Sequence, residues 1–69
     1  MLGHHDTFRL RHGPSVRTFS DVEVTKTGDG RYELTGTEHK VEVAPGRGLE
    51  VRDVVVTVGF LEEHVIPEE

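Results

Sequence analysis

The chain has 69 residues, no cysteine, and a formal charge of −5 from 13 acidic against 8 basic side chains. That length holds one domain, and a domain of this size buries only about 60% of its unfolded surface, so its stability is marginal. The missing cysteines exclude disulfides and thiolate zinc sites, which leaves oligomerisation, or docking into something larger, as the open route to extra stability.

The acidic balance argues against non-specific binding of nucleic acid, which depends on Lys and Arg neutralising phosphates, although a local basic patch stays open. Arginine exceeds lysine six to two, which codon bias in a GC-rich genome explains more simply than adaptation to salt. No apolar run approaches the roughly 18 to 20 residues of a membrane span. The N-terminal MLGHHDTFRLRHG lacks the apolar centre of a signal peptide. The expectation is a soluble intracellular (cytoplasmic) protein, or one carried in a virion-like particle, with no membrane partner.

The first expected strand is Asp6 to His12, with Phe8 and Leu10 on one side and Thr7, Arg9 and Arg11 on the other. Gly13-Pro14-Ser15 ends it. Val16 to Lys26 follows, where Val22 and Val24 alternate with Glu23 and Thr25 but Phe19 is one residue out of phase. A bulge or bend near Ser20 would restore Phe19 to the core face; a break into two short strands is the other solution. Thr27-Gly28-Asp29-Gly30 is a tight hairpin turn, because Gly and Asp adopt positive φ at low cost. Tyr32 and Leu34 alternate with Arg31, Glu33 and Thr35 on the returning strand.

Gly36-Thr37-Glu38-His39 reads as a further turn, leading into Lys40 to Ala44 with Val41 and Val43 on one face. Pro45-Gly46-Arg47-Gly48 is a breaker. In the run Leu49 to Leu61, Val54, Val56, Val58 and Phe60 line one face while Val55 and Thr57 stand on the other. Leu49 and Val51 are out of phase with that core face, so a second bulge is expected near Arg52-Asp53. FLEEHVI has material for one helical turn, weakened by its β-branched residues and by Pro67.

The pattern predicts an all-β fold: a small five- or six-stranded, mainly antiparallel barrel or sandwich of SH3-like or OB-like size. Residues 1–5 form an N-terminal arm, 6–61 the single β domain and 62–69 an acidic C-terminal tail. The expected core is Phe8, Leu10, Val22, Val24, Tyr32, Leu34, Val41, Val43, Val54, Val56, Val58 and Phe60.

His4, His5, Asp6 and His12 are the one cluster with metal-ligand chemistry, but His4 and His5 point to opposite sides of a strand near a terminus, so no metal site is assigned. No spacing links His39 or His64 to Ser15, Ser20 or a carboxylate, so no catalytic residue is assigned and no enzymatic activity expected. GDGR and PGRG lead into strands, whereas a phosphate loop needs a helix at its end, so both are turns and no cofactor is expected.

The function expected from these features is a non-catalytic assembly or structural module, displaying a β surface and terminal arms to partner subunits. Its partner would be protein, as a homo-oligomer or within a larger assembly, and its interface residues Val55, Thr57, Val65 and Ile66, the last two pairing as an added strand. In format alone the chain resembles small β subunits of large assemblies, such as viral connector or decoration proteins, without a motif of either. The alternative is a small β-barrel binding nucleic acid through an arginine strip of Arg9, Arg11 and Arg17, opposite the Phe8 and Leu10 face.

Overall fold

In the computed structural model, which describes residues 1–67, four strands follow one another as an antiparallel meander. They are β1 (Gly3–His12), β2 (Ser15–Gly28), β3 (Arg31–Ala44) and β4 (Gly48–Leu61), in one open sheet of order β1-β2-β3-β4. A short 3-10 turn, Glu62–His64, follows β4. The all-β expectation stands; the five- or six-stranded barrel or sandwich is corrected to a four-stranded open sheet.

The difference arises at Gly36. It was expected to turn the chain, yet β3 runs straight through Gly36-Thr37-Glu38-His39. A Cβ at Gly36 would lie 2.4 Å from Val22 Cγ1 and 2.9 Å from Val22 Cα. Glycine stands here because β2 presses its backbone against β3, the other reason a strand carries one.

That pressure comes from a bulge in β2. Between Ser20 and Glu23 the strand advances three residues while β3 advances two, from Thr37 to Thr35. Asp21 absorbs the extra residue with a φ of +51°, which non-glycine residues seldom adopt and which Asp tolerates better than most. Alternation is therefore reset inside the strand. Phe19, Val22 and Val24 all enter the core, the first two fully buried. The expected bulge near Ser20 is found.

The core is a single cluster of Phe8, Leu10, Phe19, Val22, Val24, Leu34 and Phe60, with Tyr32, Val56, Val58 and Val65 packed against it. Phe8 on β1 meets Phe60 on β4 with ring centroids 5.5 Å apart, so the sheet curls until its two edge strands touch across the concave face. Glu62 donates its backbone N–H to the Gly30 carbonyl, Ile66 donates to Arg9, and Leu10 bridges to Val65. The tail thus crosses the mouth of the curl and covers part of the β1 edge.

The second expected bulge, near Arg52-Asp53, is absent. β3 and β4 pair without a break from Arg31↔Leu61 to Ala44↔Gly48. Leu49 and Val51 consequently stay on the face opposite the core, together with Val41 and Val43, which lie directly across from them. Val41 and Val43 are 64% and 77% exposed, which removes both from the expected core. β2 pairs with β3 only from Glu38 onward toward Arg31. The hairpin end from His39 to Asp53 is therefore a two-stranded arm, and it lengthens the molecule to 45 Å against 23 Å in the other two directions.

A methyl group added at Gly36 must displace Val22 and its backbone. Gly36→Ala is expected to destabilise the fold by about 1–3 kcal/mol in urea denaturation. Gly59→Ala is the control: its added Cβ meets only the Tyr32 carbonyl, at 3.9 Å, and stability should change by no more than about 0.5 kcal/mol.

Candidate functional site

The convex face of the sheet opposes the core and carries the side chains available to other molecules. Register and alternation place Thr7, Arg9 and Arg11 of β1 there, beside Ser20, Thr18 and Val16 of β2. Thr35, Thr37, His39, Val41 and Val43 continue it on β3, opposite Thr57, Val55, Asp53, Val51 and Leu49 of β4. Two features stand out on this face: a chain of polar side chains at its centre and an apolar strip toward the arm.

The polar chain runs across three strands. Asp53 lies directly opposite His39, and its Oδ1 is 2.6 Å from His39 Nδ1. Ser20 sits diagonally across on β2, with its Oγ 2.5 Å from His39 Nε2. With the proton on Nδ1 donated to Asp53, Nε2 accepts from the Ser20 hydroxyl. The imidazole is held at both nitrogens, and its side chain is 35% exposed against 60% for Asp53. Spacing along the sequence could not reveal this group. It requires the β2 bulge, which sends Ser20 outward while Phe19 goes inward.

The apolar strip consists of Val41, Val43, Leu49 and Val51, each 64–77% exposed, and continues toward Val55 at 75%. Of the expected interface residues, Val55 and Thr57 do lie on this face, and Thr57 Oγ1 is 3.1 Å from Thr35 Oγ1. Val65 and Ile66 are half-buried against the chain's own β1. The four arm residues that dominate the strip were not singled out from sequence, because two were placed in the core and two were given a bulge.

The arginine strip is divided. Arg9 and Arg11 are exposed on the convex face, but Arg17 opposes Leu10 and therefore shares the concave, core-side face, a correction to its expected place. The same bulge is the cause: residues of β2 before it follow the phase of Phe19. Arg17 grips Glu38 through two hydrogen bonds, Nε to Oε2 at 2.8 Å and Nη2 to Oε1 at 2.7 Å. Its guanidinium also lies 5.4 Å from the centre of the Phe19 ring. Glu38 is the one buried charged residue among those described, at 5% exposure. The hydrogen bond from Arg17 holds its carboxyl below the usual carboxylate range, outweighing the opposing effect of burial.

At the N-terminus, His4, Asp6 and Asp21 place one potential ligand atom each within 4.8 Å of one another, all exposed. His4 Nε2 is 3.5 Å from Asp21 and its Nδ1 3.7 Å from Asp6. His5 instead turns its ring toward the Met1 carbonyl and Phe8, and His12 lies at the far end of β1. The expected histidine cluster is therefore split. No helix among the described residues is long and apolar enough to cross a membrane.

Glu38 gives the fold a pH dependence. Because its pKa is lower folded than unfolded, its contribution is complete above the unfolded value of about 4.5 and disappears as pH falls through the folded value. Arg17→Leu leaves this carboxylate buried without a partner and is expected to cost about 3–5 kcal/mol at pH 7. The deficit should shrink in acid, where Glu38 is protonated in both proteins; urea denaturation at both pH values reads the difference. No family model, curated protein or solved structure matches this chain.

Proposed function

We propose that this protein is an assembly module that associates with further copies of itself through the β3–β4 arm and the outer edge of β4. The observation that carries this reading is the apolar strip Val41, Val43, Leu49 and Val51, displayed on one face of an arm too thin to cover it. A two-stranded ribbon is marginal in water unless another surface packs on it. Covering these four side chains would contribute on the order of 4–8 kcal/mol before the entropic cost of association.

A second copy suits the site better than an unrelated chain. β4 is an edge strand of 14 residues, and from Val54 to Leu61 it carries no charge or proline of the kind that blocks strand addition. An antiparallel edge is self-complementary about a two-fold axis, so two β4 strands can extend two sheets into one. The arm's other face places Lys40 opposite Arg52 and Glu42 opposite Glu50, like-charge pairs that weaken a lone hairpin.

Light scattering behind size exclusion provides the test. At tens of micromolar the wild type is expected to run at a multiple of 7.7 kDa, and Val51→Glu or Val55→Glu at the monomer mass. Both variants should keep the wild-type circular dichroism spectrum, since both valines are mainly exposed. A wild-type monomer at a hundred micromolar, or unfolding by Val55→Glu, would contradict the reading.

A further inference from the structure

We infer that Ser20, His39 and Asp53 form an acyl-transfer site in which Ser20 is the nucleophile. The group contains the three roles such chemistry needs, in contact and in order. The hydroxyl is 2.5 Å from Nε2 of the base, and a carboxylate is 2.6 Å from Nδ1, so that Asp53 holds the ring in the tautomer that can accept a proton. Its members come from β2, β3 and β4, so the sheet itself fixes their spacing. The neighbouring Asp21, at a φ of +51°, is the one non-glycine residue with positive φ among those described. Its strain lies beside Ser20, and the bulge there aims the hydroxyl at the imidazole.

The reaction is a two-step ester hydrolysis. Ser20 Oγ bonds to the carbonyl carbon as its proton passes to His39 Nε2. The tetrahedral adduct then expels the leaving alcohol, which takes that proton, and an acyl-Ser20 remains. Water attacks this ester with His39 again accepting a proton, the carboxylic acid departs, and the proton returns to Ser20. Asp53 touches neither reactant and is a positioning residue.

Surroundings define the substrate class. Val41 lies two residues from His39, and Val51 and Val55 flank Asp53, all on the same face. They offer an apolar platform to an acyl chain. The site is open rather than enclosed, with His39 35% and Asp53 60% exposed. Esters with good leaving groups and short apolar acyl chains fit; amides, which need stronger stabilisation of the oxyanion, do not.

The test uses a fluorophosphonate, whose phosphorus takes the Ser20 oxygen as fluoride leaves, and 4-nitrophenyl butyrate. Protein is kept at a concentration where light scattering detects only monomer, which separates this outcome from that of the assembly reading. Mass spectrometry should find the adduct on Ser20, and Ser20→Ala should lose both labelling and turnover. His39→Gln should slow labelling by about 100-fold, the usual worth of a positioned general base. Asp53→Asn, at an exposed site, should lower kcat for the butyrate at least 10-fold while KM stays within twofold. Circular dichroism verifies that each variant is folded. Absence of an adduct on Ser20 after hours in millimolar reagent would overturn the proposal. So would equal labelling rates in wild type and His39→Gln.

Discussion

One extra residue in β2 organises this molecule. Strand alternation permits a single face to be apolar, and Phe19 and Val22 are three residues apart, so a regular strand would send one of them to solvent. The bulge at Asp21 sends both inward. It draws the β2 backbone so close to β3 that only glycine fits at position 36. Before the bulge, the phase of Phe19 also carries Arg17 to the core side, where it meets Glu38, and leaves Ser20 facing out, where it meets His39. Core, buried ion pair and polar chain thus depend on the same local departure from regularity.

The fold distributes its apolar side chains unevenly. Around the curl, Phe8, Phe19, Leu34 and Phe60 make a compact core that the C-terminal turn helps to close. Along the arm, equally apolar side chains remain in water because the unbroken β3–β4 register keeps them on the convex face. Among the described residues no second layer packs on this strip. A small domain has a narrow stability margin, and covering such a strip would add to it, which is the physical basis of the proposed self-association.

Much of the core was legible in the sequence. Alternation identified Phe8, Leu10, Val22, Val24, Leu34 and Phe60, the turn at Asp29-Gly30 followed from glycine's access to positive φ, and the phase break at Phe19 announced the bulge. Three readings failed for connected reasons. Gly36 marks a close approach between strands, which resembles a turn until the neighbour is known. A second bulge at Arg52-Asp53 assumed that every apolar residue must reach the core, whereas Leu49 and Val51 face solvent. Arg17 was given the phase of Val22 although it precedes the bulge. The Ser20-His39-Asp53 chain was beyond reach for a different reason: its members are 19 and 14 residues apart, and only the strand register makes them neighbours.

The dependence on the bulge is open to one direct measurement, the unfolding midpoint of Asp21→Val compared with that of Asp21→Gly. A β-branched residue is strongly disfavoured at the positive φ of position 21, so Asp21→Val should lower stability by about 1–2 kcal/mol although the side chain is exposed. Asp21→Gly keeps the bulge and relieves the positive φ, and should unfold cooperatively at or above the wild-type midpoint, by up to about 1 kcal/mol. An Asp21→Val variant as stable as the wild type would contradict the account.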